Sequence, residues 1–140
     1  MLDIYTGAMG SGKTAQLLDD IGSYSSNPYI LICCAKKGIR KNSSISSRDG
    51  REVVANPINS LKDIKILYNK NGMLPKYIFV DEVRFLNDSR DDIKDFIDFL
   101  DINDIHAVMS GLNINCYNDA FNFMERVMPY ADDVVVFKVS

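Results

Sequence analysis

The chain has 140 residues, of which 46% are hydrophobic and 25% charged, and its formal net charge is −3. That length suits one domain with a sizeable core, and the composition is that of a globular protein without low-complexity tracts. The acidic balance excludes a global basic field for nucleic acid or an anionic membrane, and no apolar run nears the roughly 18 residues of a membrane span. The N-terminus has no basic region followed by an apolar core and a cleavage site, so a cytoplasmic location is expected.

Along the chain, strands and helices alternate. LDIYT (2–6) is a short apolar strand that runs into a glycine-rich loop. A helix follows from Lys13 to about Ser25, with Ala15, Leu17, Leu18 and Ile21 giving its apolar face. YILICCA (29–35) is a continuous apolar run, as expected of a strand buried on both sides. Residues 36–50 are polar and rich in Gly and Ser, which predicts a long loop. REVVA (51–55) forms a small strand on this reading, and Ile58 to Asn69 a helix or mixed segment.

KYIFVDE (76–82) is a second buried strand, ending in two carboxylates. Asp88 to Leu100 places Ile93, Phe96, Ile97 and Leu100 at helical spacing. IHAVMSGL (105–112) is the next strand, Asp119 to Met128 the next helix, and VVVFKV (134–139) a closing strand. This order implies right-handed crossovers and a mostly parallel sheet covered on both faces. The expected architecture is one domain over residues 1–140, an α/β P-loop NTPase (RecA-like) three-layer sandwich.

The three cysteines are Cys33, Cys34 and Cys116, and His106 is the single histidine. Neighbouring strand residues point to opposite faces, so Cys33 and Cys34 make a poor disulfide pair. With no C-x-x-C pair and one histidine, a structural zinc site has too few ligands, and no zinc is expected.

GAMGSGKT (7–14) has the spacing G-x-x-x-x-G-K-[ST] between a strand and a helix. Gly7 and Gly12 let the backbone curl so that its N–H groups face phosphate oxygens. Lys13 adds charge at the β and γ phosphates, and Thr14 offers a hydroxyl to Mg²⁺. The helix that begins near Lys13 contributes its positive end. The acidic strand end is the natural partner, with Asp81 holding Mg²⁺ and Glu82 placed to take a proton from the attacking group. These residues leave three outcomes open: transfer to a hydroxyl, transfer to water, and nucleotide binding without transfer.

Further elements narrow the choice. They are SSRDG (46–50) followed by Ala55, DEVRF (81–85), SGLNINCYNDAF (110–121) and PYADDVVVFKV (129–139). Taken in this order with the glycine loop, the chain resembles the thymidine kinase family of the cytosolic, zinc-containing type. The family loop has the form G-x-M-x-S-G-K-T, matched here with Met9 and Ser11. Its S-R-x-G element is matched by Ser47, Arg48 and Gly50, and its D-E-x-Q-F by Asp81, Glu82 and Phe85. Gly111, Leu112 and Phe121 approximate a G-L-D stretch ending in P-F, and Ala131, Asp132 and Val134 match an A-D-x-V strand.

The resemblance implies transfer of the ATP γ-phosphate to the 5′-hydroxyl of a thymidine-like deoxynucleoside. Glu82 would then be the general base, and the loop residues Gly7, Met9, Gly10, Ser11, Gly12, Lys13 and Thr14 would cradle the nucleotide. Thr14 and Asp81 would hold Mg²⁺, and Arg48 would neutralise charge near the transferring group. Phe85 would pack on the nucleobase, with Tyr117 and Phe121 helping to enclose it. Core filling is the competing use of all three rings. The resemblance also implies a homo-oligomer, dimer or tetramer.

The chain departs from the family pattern at several places. Arg84 stands where the family has glutamine, Asn113 where it has aspartate, and GIRKN keeps only Arg40 of a D-x-R-Y stretch. The family continues past its last strand into a cysteine-rich zinc module whose lasso loop closes over thymidine, whereas this sequence ends at Ser140. The resemblance therefore covers the P-loop core. The alternatives are an NTPase or nucleotide-binding regulator derived from such a kinase, and an interaction protein that keeps the loop as a structural site. An assembly ATPase is a further P-loop reading, but those proteins usually carry basic or membrane-associated extensions, of which this sequence has none.

Overall fold

The computed structural model describes residues 1–8, 10–24, 29–38, 44–112 and 123–138. Six strands form one sheet in the order β5-β2-β6-β7-β1-β8. They are β1 (Leu2–Gly7), β2 (Ile30–Ala35), β5 (Asn56–Ile58), β6 (Tyr77–Asp81), β7 (His106–Leu112) and β8 (Asp133–Phe137). All neighbours in this sheet pair in parallel. Parallel strands need crossovers, and α1 (Lys13–Tyr24), α2 (Lys62–Asn71), α3 (Arg90–Ile102) and α4 (Phe123–Val127) supply helices beside the sheet. This is the expected α/β sandwich with a parallel sheet.

Side-chain alternation sorts the core into two faces. Leu31, Cys33, Ile78, Val80, Ala107 and Met109 point to one face, where Ile64 of α2, Ile93, Phe96 and Leu100 of α3, and Phe123 and Val127 of α4 meet them. Cys34, Phe79 and Val108 point to the other, under Leu17, Leu18 and Ile21 of α1. Cys33 and Cys34 thus lie on opposite faces, both as free thiols. Burial pushes the Cys33 thiol up to about 12 and raises that of Cys34 as well. Phe79, with no exposed surface, fills the centre of the α1 face; burying such a ring contributes roughly 1.5–3 kcal/mol.

Three expectations need correction. Residues 36–50 are not one loop: a 3-10 turn spans Lys36–Gly38, and β3 (Ser44–Ser46) pairs antiparallel with β4 (Glu52–Val54). The small strand expected over 51–55 is present as β4; it lies outside the main sheet, in a hairpin that buries Ile45 against the α1 face. Ile58 does not open a helix. It ends β5, which pairs with β2 at the sheet edge, where Pro57 faces Cys34 without breaking an interior ladder. Helix α3 starts later than Asp88, because the Ser89 side chain accepts from the Asp92 N–H at 3.1 Å as its N-cap.

Only Phe123–Val127 of the helix expected over 119–128 falls within the described residues as α-helix, followed by a 3-10 turn over Met128–Tyr130. Among the described residues no helix is long and apolar enough to cross a membrane, and no cluster of three or more His, Cys, Asp or Glu side chains could hold a metal ion.

Candidate functional site

The site lies where β1 and β6 end. Strand β1 runs into Gly7, and α1 begins at Lys13, so the glycine loop bridges strand and helix. Gly7, Gly10 and Gly12 have φ of 147°, 74° and 94°, a region that side chains disfavour. A Cβ on Gly7 would stand 2.4 Å from the Phe137 carbonyl oxygen of β8, so the strand pairing itself demands glycine. A Cβ on Gly12 would meet nothing within 4 Å, which leaves the loop backbone open to an incoming group. The Ser11 hydroxyl is buried without a hydrogen-bond partner among the described residues. An anion's oxygens would satisfy it.

Three charged groups converge on this loop. Lys13 is 8% exposed, and its Nζ donates to the Ala8 carbonyl at 3.2 Å. Burial lowers its pKa, against the opposing pull of Glu82 and Asp81, while Arg84 adds to the lowering. Asp81 is 4% exposed, and burial with Glu82 alongside pushes its carboxyl up to about 6. Its Oδ1 accepts the Glu82 N–H at 2.9 Å. The Ser110 hydroxyl of β7 lies near it without completing a hydrogen bond. For both residues desolvation outweighs attraction.

Glu82 holds a left-handed backbone, φ 56° and ψ 37°, rare for a residue with a long side chain. A strained residue of this kind costs about 1–3 kcal/mol and clusters at working sites. Its Oε2 lies 3.9 Å from Arg84 Nε, an ion pair too long for a hydrogen bond. The Arg84 guanidinium carbon stands 4.0 Å over the Phe85 ring, and Phe85 also packs against the core. Phe85 is thus brought beside Glu82, and one face of its ring already has an occupant. Thr14 opens α1 directly after Lys13 and is half-buried.

Arg48 also reaches the loop, although it is distant in sequence. A Cβ on Gly10 would lie 2.9 Å from an Arg48 terminal nitrogen, so the guanidinium rests against that glycine. The structure therefore groups Gly7, Gly10, Ser11, Gly12, Lys13, Thr14, Arg48, Asp81, Glu82 and Phe85 at one end of the sheet. Met9, Tyr117 and Phe121 lie outside the described residues, as do Arg40, Asn113 and Cys116.

Sequence reasoning missed Arg51 and Asp19. Arg51 forms ion pairs with Asp49 and with Asp19 of α1, tying the hairpin turn to the helix that carries the loop. The Ser-, Asp- and Gly-containing stretch before Arg51 reads as a loop, but no spacing rule pairs positions 32 residues apart. Asp88, buried before α3, was read only as a helix start.

The geometry agrees with comparison to known proteins. The family model for thymidine kinase matches residues 1–139. A thymidine kinase of Enterococcus faecalis is 30% identical over 137 residues, covering 94% of this chain and 68% of its own. Thymidine kinases from two strains of Ureaplasma parvum serovar 3 are 28% identical over 137 residues. Those alignments cover 95% of this chain, which spans 60% of the length of these relatives. A match over nearly every residue, on a sheet that ends in a glycine loop facing paired carboxylates, makes this chain a member of the thymidine kinase family.

Proposed function

We propose that residues 1–140 act as one phosphoryl-transfer domain that moves the γ-phosphate of ATP to the 5′-hydroxyl of a thymidine-like deoxynucleoside. The observation that carries this reading is the grouping of Lys13, Asp81 and Glu82 in one electrostatic field beside the open glycine loop. In the transfer, the 5′-oxygen forms a bond to the γ-phosphorus as the bond to the β–γ bridging oxygen breaks. ADP leaves, and the hydroxyl proton passes to the Glu82 carboxylate.

Lys13 and the loop N–H groups, with the Ser11 hydroxyl, bind the triphosphate, and Arg48 faces the charge that spreads over the transferring group. The Thr14 hydroxyl and the Asp81 carboxylate are hard oxygen donors of the kind Mg²⁺ takes. A cation there would offset the burial that raises Asp81. When bound, Mg²⁺ supplies charge neutralisation across the β and γ phosphates. Phe85, with Tyr117 and Phe121, encloses the base on this reading. A cytoplasmic homo-oligomer, dimer or tetramer, belongs to the same reading.

The test uses the purified chain with ATP, Mg²⁺ and a panel of deoxynucleosides. Labelled γ-phosphate is expected in a nucleoside monophosphate. Glu82→Gln is expected to slow turnover by roughly 10²–10⁴-fold while leaving ATP affinity unchanged. Phosphate released at a rate indifferent to every nucleoside would overturn the reading in favour of hydrolysis.

A further inference from the structure

Arg48 is exposed, and among the described residues it makes no hydrogen bond or ion pair that would hold it at the loop. Left to itself, a long side chain on a turn samples many rotamers. Its neighbourhood is unusually well fastened. The turn closes through the Gly50 N–H to the Ser47 carbonyl at 3.2 Å, with Gly50 at φ 90°. Asp49 braces it from inside, accepting the Ser47 hydroxyl and, at 3.2 Å, the Arg51 N–H.

Arg51 then joins this turn to α1. Its Nε donates to Asp49 at 2.9 Å, one terminal nitrogen donates to the Ala15 carbonyl at 3.3 Å, and the other terminal nitrogen pairs with Asp19. Ala15 and Asp19 sit in the first turns of α1, and Leu17, Leu18 and Ile21 anchor that helix to the sheet. One exposed ion pair contributes little to stability. A planar fork reaching acceptors on two elements fixes orientation instead.

We propose that Arg51 is a positioning residue: it fastens the 47–51 turn to the loop helix and so holds the Arg48 guanidinium against Gly10, over the phosphate side of the site. The proposal deepens the phosphoryl-transfer reading and rests on it. Arg51 touches no reacting atom; it acts through Arg48, whose misplacement by an ångström is enough to weaken transfer.

Arg51→Ala, Asp19→Ala, Arg48→Ala and the Arg48→Ala/Arg51→Ala double variant separate this role from simple stability. Arg51→Ala is expected to lower kcat on the order of tenfold to a hundredfold, as Arg48→Ala does, with the nucleoside KM little changed. The double variant should fall no further than Arg48→Ala alone, and Asp19→Ala should show a smaller loss of the same kind. Arg51→Lys, a point charge without the fork, should restore only part of the rate. In parallel, binding of ATP and of ADP is measured. Arg51→Ala should narrow the preference for ATP as far as Arg48→Ala does, and speed hydrogen exchange of the 47–51 amides.

Unchanged kcat and unchanged ATP preference in Arg51→Ala would overturn the proposal. So would a double variant in which the two losses multiply. A wild-type chain that transfers no phosphate counts against the functional reading, and the ATP–ADP comparison then decides Arg51 by itself.

Discussion

Asp81 and Asp88 flank the short turn after β6, and each is 4% exposed. Burial is also the leading cause that raises the pKa of both. Their surroundings differ. Asp88 Oδ2 accepts the buried Leu61 N–H at 3.0 Å, just ahead of α2, so its carboxylate closes a backbone account that the fold leaves open. Asp81 takes only the N–H of its own neighbour Glu82, at 2.9 Å, and in addition feels the charges of Glu82 and of Lys13 at the glycine loop. Depth alone does not mark a working carboxylate. An acid whose amide partner lies 27 residues away ties two elements together, and the one beside the glycine-loop lysine is the one proposed for chemistry.

The comparison breaks most visibly on substitution of Asp81. Asp81→Asn is expected to cut phosphoryl transfer roughly a hundredfold or more, read as turnover per folded molecule. The same change should not weaken the fold. A carboxyl held at about 6 against an ordinary 3.8 destabilises the folded state at neutral pH by up to about 3 kcal/mol, so denaturant melts should show the Asn variant equal to or firmer than the parent. A destabilised Asn variant with intact turnover would reverse the roles assigned to the two acids.

Asp88 should give the opposite pattern. Asp88→Ala strands the Leu61 N–H and is expected to cost about 1–3 kcal/mol in chemical denaturation, with turnover per folded molecule unchanged. Asp88→Asn keeps an acceptor for that N–H and sharpens the contrast through pH. Because the folded pKa of Asp88 lies above its open-chain value of 3.8, its contribution is fully present below that pH and is lost as pH rises through the folded value. The Asn variant should therefore match the parent in acid and gain on it across that window. A constant difference at all pH values would show that the carboxyl does not titrate with folding.

The smallest effect belongs to the residue beside it. Ser89→Ala removes the cap on the Asp92 N–H and should lower stability by about 1 kcal/mol, visible as a reduced Tm and nothing else.

Much of this was legible beforehand. Strands β2, β6 and β7 announced themselves as apolar runs because they lie inside the sheet, β1 as a short apolar strand ahead of the glycine loop, and the observed bounds differ by a residue or two. The glycine loop, Asp81 and Glu82 were readable because their spacing is local: strand, loop and helix in one stretch. Strand β3 was not, since Ser44–Ser46 offers a single apolar residue, Ile45, whose burial depends on a partner strand and on α1. Strand β5 hid behind Pro57, which local rules assign to a turn and which an edge strand tolerates. The Arg51 fork and the Asp88 bond link positions far apart in the chain, and composition carries no trace of such pairings.

Glu82, with its left-handed backbone, has a consequence for any effort to harden this protein. A library screened for heat resistance alone would favour Gly or Asn at that position, since both accept the conformation at little penalty. Each winner would keep the sheet and discard the carboxylate. On the base role proposed for Glu82, selection for endurance and selection for turnover would pull position 82 in opposite directions.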